Sequence, residues 1–594
     1  MHIWNSNLIK TIFEQKQREK SEDRDNLLRL VSRSLYGEAI HYALELIQNA
    51  EDEKSSVIKF IFDKDRVVVI NDGRPFNDDD VWGICSVKTG RKKGKIGFFG
   101  IGFKAVFNIT KNPQIISREF NFELNDFIYP SPLTTVPESA QNDYSPEKGA
   151  IFLMPYSPEL ASPETLIENF GLIDEKLLLF LESLQKLHFE DLIHDSKWEI
   201  QKSMESSSVF AINGHETKYS TVSLINTLTG ETKWIVFHRD LTVKDQSIVP
   251  EGKQGVEKTR ITIAFPLDDE LREKIRKNGV FYCYLPTKKR TDLPFLIQAD
   301  FLPTIGRENI ADHKWNEWLM RELGVLAGDG INEIKKDQAL TKIVYEFIPL
   351  SGEVQDDLVK QLYGSLFETL KQGEIAKASE NWLKPEDCLI PNNEALRSIF
   401  LQADLRLLFN EKVSYIDPAL SGKETYTRPE RVLFELGAKE IRADEVVDFL
   451  QKEDAVIKKS ETWFLDLYDY LSGVFDTSKK SYGKDFPWDW DENLTDLFKK
   501  LQVTKFILTD EADVVSLKDP DMQDRLICYP QSIDLSEIHK LFTEGEVIFL
   551  NRYFQESGIT RRKEDNPETE EKRKGVKEWF DSIGVQKYFK QPIS

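Results

Sequence analysis

The chain has 594 residues, of which 40% are hydrophobic and 30% charged, with a formal net charge of −22. That length exceeds a single hydrophobic core and predicts three or four domains of about 150 residues each. The composition is that of a soluble globular protein, not a disordered or fibrous one. With no run of about 18 apolar residues, no membrane span is expected.

The opening residues, MHIWNSNLIKTIFEQKQREK, lack the order of charged, apolar and small segments that a secretory leader shows. Cys85, Cys283, Cys388 and Cys528 stand far apart, with no CxxC. They argue against a disulfide framework and a zinc site and fit a reducing cytoplasm. The acidic balance repels phosphates, so nucleic acid is expected only through a local basic patch or a partner subunit. The densest short basic stretch, Arg91-Lys92-Lys93-Gly94-Lys95, is either a solvated loop or a phosphate-side lid.

In chain order, residues 5–55 read as helical, with an apolar pattern at Ile40, Leu44, Ile47 and Ala50. Val57–Phe62 and Arg66–Asn71, around Asp63-Lys64-Asp65, predict a β-hairpin. A helix over Asp78–Cys85, a loop over Ser86–Lys95 and a glycine-opened helix to about Thr110 follow. Strands are expected at Gly149–Pro155 and an apolar helix over Asp174–Leu187. From Trp198 to Phe301 β-runs dominate, interrupted by one helix at Asp268–Lys277, which predicts a second α/β domain. Farther on, helices at Gln355–Leu370, Asp444–Gln451 and Ser460–Leu471 alternate with short pieces such as Lys505–Leu508 and Val547–Leu550. No chemistry is legible there.

Three short motifs carry chemistry. Glu45 and Asn49 are four apart, so on a helix they stack on one face beside buried Leu44, Ile47 and Ala50. The amide oxygen suits Mg²⁺ and the carboxylate can activate a water. An ordinary amphipathic helix has the same spacing. Next, Val67–Ile70 runs into Asn71-Asp72-Gly73, whose side chains can read an adenine edge or simply make a turn. Last, the glycines Gly97, Gly100 and Gly102 precede an apolar helix, a pattern that lets backbone N–H groups approach phosphate oxygens. It is not a Walker loop, because no GK[ST] ends it, nor a dinucleotide fingerprint.

Helix-ExxxN, strand-NDG and GxxGxGFK within about 60 residues together resemble the GHKL, or Bergerat-fold, superfamily of type II topoisomerases, ninety-kilodalton heat-shock chaperones, MutL-type mismatch-repair proteins and MORC proteins. The wording of Leu44–Asp52 and Gly97–Phe107 is most similar to the sacsin and NO VEIN branch. So is that of Tyr284–Thr287, Phe295–Phe301 and Gly306–Asn309. The resemblance spans about residues 20–320.

It implies an α/β fold, with a Bergerat-type ATP-binding domain over 1–190 and a transducer-like α/β domain over 191–330; beyond the resemblance, the sequence pattern predicts a mixed, mainly helical region over 331–594. The resemblance implies ATP and Mg²⁺ as ligands, with Glu45 as the water-activating carboxylate and Asn49 as the metal ligand. Asp52, Asn71, Asp72, Gly73, Lys88, Thr89, Gly97, Phe99, Gly100, Ile101, Gly102, Phe103 and Lys104 would complete the nucleotide site. Asn71 stands where the family has aspartate, so either Asn71 or Asp72 reads the base. Arg307 would reach the terminal phosphate from the second domain, with Lys288, Lys289 and Arg290 as rivals and a salt bridge to Glu308 as the plainer reading.

The expected activity is a slow ATPase whose nucleotide state closes a lid, in the cytoplasm, acting in a nucleic-acid transaction such as bacterial defence or on protein clients. A protein partner or homodimer is expected, and a non-hydrolysing ATP-sensing scaffold is the alternative. A histidine kinase is disfavoured, since only His2 precedes His41.

Overall fold

The computed structural model describes residues 6–18, 40–86, 102–133, 148–157, 159–171, 173–212, 214–304, 309–422, 425–452, 455–456, 458–475, 492–509, 513–517, 526–529, 547–549, 554, 567–583 and 586–587. It is a mixed α/β structure with two compact units, Met1–Leu370 and Lys371–Ser594.

The first unit opens with α1 (Ser6–Arg18), which sends Ile9 and Ile12 into the core. Helix α2 (His41–Asp52) buries Ala43, Leu46, Ile47 and Ala50, the three-and-four spacing of an amphipathic helix. Lys54 ends it in the left-handed region (φ 62°), with Ser55 N–H bonded to Ala50 O and Lys54 N–H to Glu51 O, a Schellman closure. Strands β1 (Val57–Phe62) and β2 (Arg66–Asn71) form the expected hairpin, with Phe62 opposite Val67. Their alternation puts Phe60, Phe62, Val67 and Val69 in the main core, and Ile61, Val68 and Ile70 in a smaller cluster on the other face. Helix α3 (Asp78–Ile84) starts with a capping box between Asn77 and Asp80.

Strands β3 (Gln114–Ser117), β4 (Phe120–Asn125), β5 (Tyr129–Pro132) and β6 (Ala150–Pro155) extend one edge of the sheet, and helix α4 (Pro163–Phe170) lays Phe170 on Phe60. Strand β7 (Lys186–Asp191) pairs in parallel with β1 and antiparallel with β8 (Ser196–Ile212). Strands β9 (His215–Asn226), β10 (Gly230–Thr242) and β11 (Lys258–Pro266) continue the antiparallel ladder. Past helix α5 (Asp269–Asn278), β12 (Val280–Cys283), β13 (Leu285–Arg290) and β14 (Leu296–Ala299) complete a 14-stranded sheet in the order β13-β12-β14-β11-β10-β9-β8-β7-β1-β2-β6-β3-β4-β5. The boundary expected at 190 thus falls inside β7, which is hydrogen-bonded to strands on both sides of it.

Helix α6 (Lys314–Ile334) docks on β10 through a buried ion pair, Arg239 Nη2 to Asp329 Oδ2 at 2.6 Å, with Arg239 Nε also donating to Thr217. Among the described residues no helix is long and apolar enough to cross a membrane.

Two expected helices differ. Over Asp174–Leu187 only Glu175–Phe180 coils, as a 3-10 turn, and Lys186 already begins β7. The N–H groups of Glu182, Ser183 and Leu184 all donate to the Glu51 carboxylate, so they cannot close helical bonds. Gly102–Asn108 is likewise a 3-10 helix that stops short of Thr110.

The second unit is described in part. Its core gathers the helices Ala443–Leu450 and Glu461–Val474 with a small parallel sheet centred on Cys388–Pro391. Tyr468 is fully buried there, donating to Phe506 O and accepting from Leu508 N–H, each at 2.9 Å. Cys85, Cys283 and Cys388 are buried.

Candidate functional site

Helix α2 carries the centre of the site. Glu45 is buried, at 5% exposure, while Asn49, one turn on, is partly exposed on the same face. The start of the 3-10 helix Gly102–Asn108 packs on this face. A Cβ on Gly102 would fall 1.9 Å from Glu45 Oε2. The glycine therefore makes room for the carboxylate itself. On the same helix the side-chain oxygen Oε1 of buried Gln48 has no hydrogen-bond partner among the described residues.

The strand-end motif divides its labour. Both oxygens of Asp72 are engaged by the start of β1: Oδ1 accepts from Ser56 N–H (2.8 Å) and Val57 N–H (2.9 Å), and Oδ2 from the Ser56 hydroxyl (2.5 Å). Asp72 thus fixes where β1 begins. Asn71 Oδ1 accepts from Ser55 Oγ and Gly73 N–H, each at 3.3 Å, longer and weaker bonds. Gly73 is required by close packing, since a Cβ there would meet Ser55 Oγ at 2.5 Å and Glu53 O at 2.7 Å. Arg74 then ties Glu53 at the end of α2 to Asp80 of α3, at 2.6 and 2.8 Å.

Lys104 is buried. Its ammonium donates to the carbonyls of Ile84 and Phe127, and burial holds its pKa down, to about 8, despite the help of the nearby Cys85. It ties the 3-10 helix Gly102–Asn108 to the end of α3 and to the β4–β5 connection. Phe103 packs on Phe152 of β6 at 5.6 Å between ring centres. Asp52 lies partly exposed at the end of α2. Lys88, Thr89, Gly97, Phe99, Gly100, Ile101, Arg307 and the basic stretch 91–95 lie outside the described residues. The rivals of Arg307 are described: Lys289 pairs with Asp356 at 2.9 Å and Arg290 with Asp292 at 2.9 Å.

One residue of α2 went unread. Glu51 is 4% exposed and accepts four bonds of 2.9–3.1 Å from the backbone N–H groups of residues 182–184. It welds α2 to the strip that leads into β7. Only its place inside an otherwise apolar helix face hinted at a buried role.

Residues 34–142, which hold α2, the hairpin and the glycine segment, match the model of the sacsin domain family. This stretch is sacsin-like. Over 93 residues the chain is 38% identical to human sacsin, covering 12% of this chain and 2% of sacsin. A longer match reaches Arabidopsis thaliana Protein NO VEIN, 27% identical over 442 residues, 66% of this chain and 15% of that protein. The chain thus spans a small fraction of the relatives it matches, and the similarity to NO VEIN extends well beyond the sacsin-like segment. The resemblance to the sacsin and NO VEIN branch read from the motifs is shown by these matches.

Two solved structures also align, the N-terminal domain of a DNA repair protein and the B-subunit of DNA gyrase from Myxococcus xanthus. Their TM-scores are 0.24 and 0.25, at 10% and 11% identity, each over 33% of this chain and 70% and 67% of theirs. Scores so low carry no argument.

Proposed function

We propose that the sacsin-like segment binds ATP with Mg²⁺ and that the chain hydrolyses it slowly. The observation that carries this reading is the buried Glu45 carboxylate, seated against a glycine that leaves it room, with Asn49 one helical turn away. A carboxylate so placed acts as general base on the water that attacks the terminal phosphate. Asn49 is the residue to hold Mg²⁺, a hard cation that takes few protein ligands and keeps its waters and the substrate phosphates. The donors present fit it: an amide oxygen beside a carboxylate, and no cluster of three His, Cys, Asp or Glu among the described residues that would make a protein-only metal site. When bound, the ion supplies neutralisation of phosphate charge.

Asn71 offers the polar edge for the base, since Asp72 is engaged by β1. The weld between Glu51 and residues 182–184 supports a mechanical use of the nucleotide, because a shift of α2 is passed to β7 and the sheet beyond. A protein client or a second copy of the chain is the partner that the acidic balance favours.

Phosphate release by the full chain tests the reading. Glu45→Gln is expected to abolish turnover while Mg·ATP still binds. Wild-type turnover in that variant would refute the assigned chemistry. Binding without turnover in the unmodified chain would favour an ATP-sensing scaffold.

A further inference from the structure

A cleft of about 1080 Å³, outside the nucleotide reading, lies against β8–β11 and the strip that Glu51 holds. Its floor includes a polar row across four strands. Gln298 of β14 stands opposite Thr262 of β11, Thr262 opposite His238 of β10, and His238 opposite Lys218 of β9. Residues paired in this way share a face about 5 Å apart. Arg239, next to His238, points to the opposite face and into α6.

Two buried groups of this cleft lack partners. Gln298 Nε2, on a side chain 3% exposed, makes no hydrogen bond among the described residues, nor does Oγ of Ser220, which is 1% exposed and two residues from Lys218. Buried polar groups are nearly always satisfied, so two such groups lining one cleft point to something that completes them.

Acids such as Glu216, Asp245 and Glu322 also line the cleft, but the field at His238 is cationic. Burial first, then the fields of Arg260, Lys218 and Lys202, hold the His238 imidazole down, to about 4. Arg260 is not open as a fork, because Asp240 takes its Nε and Nη2 and Glu182 its Nη1. The row and its neighbour offer single donors: Lys218 Nζ, Gln298 Nε2, Ser220 Oγ and His238 Nε2. The last is the ring nitrogen left over when Nδ1 lies 2.9 Å from Thr262 Oγ1. An anion selects the tautomer in which Thr262 donates to Nδ1 and Nε2 carries the hydrogen. Single donors spread over several strands suit a tetrahedral oxyanion, whereas a planar carboxylate is best met by an arginine fork.

We propose that this cleft binds a phosphate group, its oxygens on the row Gln298–His238–Lys218 and on Ser220. The volume leaves space for an organic part beside the phosphate. Tyr284 also lines the cleft, with a left-handed backbone (φ 65°) at the tight connection between β12 and β13. The site is joined to α2 without overlapping Glu45 or Asn49. On the cleft side, Lys202 donates to Leu181 O and Arg260 to Glu182. On the other, the N–H groups of residues 182–184 grip Glu51. A ligand here therefore acts on the same strip as the nucleotide helix.

The test uses the full chain with ¹³C-labelled histidine, in which eight histidines give signals and His238→Gln assigns the one needed. Titration with inorganic phosphate or glycerol phosphate at constant ionic strength is expected to move the His238 resonance saturably. Acetate is expected to leave it in place. Lys218→Ala, at an exposed position, and Gln298→Leu, checked for folding by circular dichroism, should each weaken the affinity about tenfold. Tighter binding of glycerol phosphate than of inorganic phosphate identifies a phosphate monoester as the ligand, and the reverse order identifies free phosphate. A His238 signal that ignores both phosphates overturns the proposal. So does one that moves as far with acetate, or an affinity untouched by both substitutions.

Discussion

Gly102 and Glu45 are in contact: a Cβ added to the glycine would lie 1.9 Å from Oε2 and 2.9 Å from Cδ of the carboxylate. From the glycine pattern alone, the missing side chain clears space for phosphate oxygens; in the structure it clears space for the carboxylate. Gly102→Ala should therefore displace Glu45 and lower turnover about 100-fold, while ATP affinity changes by less than about threefold. Parallel phosphate-release and calorimetric measurements check this. An alanine variant that loses ATP binding and turnover together would return the glycine to the phosphates.

Glu51 is expected to matter for stability, not for hydrolysis. Glu51→Ala leaves the N–H groups of residues 182–184 without their acceptor, that of Leu184 in a buried position, which should cost about 2–4 kcal/mol in urea unfolding of the first unit. Glu45→Gln, which keeps its volume, should change stability by less than about 1 kcal/mol. The contrast separates the two buried glutamates of α2.

At the strand end, Asp72→Ala should destabilise the protein by about 2 kcal/mol, because three bonds that start β1 are lost. Its preference for ATP over GTP should be unchanged. Asn71→Ala should change that preference with little effect on melting. Competition binding and thermal melts of the two variants decide the matter.

These expectations show where sequence reading succeeds. The β1–β2 hairpin was legible because Val57–Phe62 and Arg66–Asn71 alternate between two buried faces, a signal carried within each strand. The shared helix of Glu45 and Asn49 was legible from the apolar spacing around them. The run Asp174–Leu187 was misread because its apolar residues suit a helix, whereas its backbone N–H groups are claimed by Glu51, 131–133 residues away. No local pattern contains that fact. Lys104 was expected at the site from the family resemblance; its ammonium is held by the carbonyls of Ile84 and Phe127, contacts that no local pattern announces. Ser55 and Ser56 went unnoticed because their partners, Asn71 and Asp72, come from the other strand of the hairpin.

His238 predicts an acid-side loss of stability. Its ordinary value of 6.5 is lowered to about 4 in the fold, mainly by burial. Between those values the unfolded chain binds more protons than the folded one, so stability rises with pH across that window. The contribution is complete above about pH 6.5, is lost as pH falls towards 4, and amounts to at most about 3 kcal/mol. Urea unfolding at pH 5 and pH 7 should show a smaller difference in His238→Gln than in the unmodified chain.

The most direct measurement is calorimetry of Mg·ATP on the full chain and on Asn49→Ala. The predicted result is saturable binding of one nucleotide per chain, weakened at least about tenfold by the substitution, with both proteins folded. No binding heat from the unmodified chain, or the same affinity in Asn49→Ala, would contradict a nucleotide site on α2.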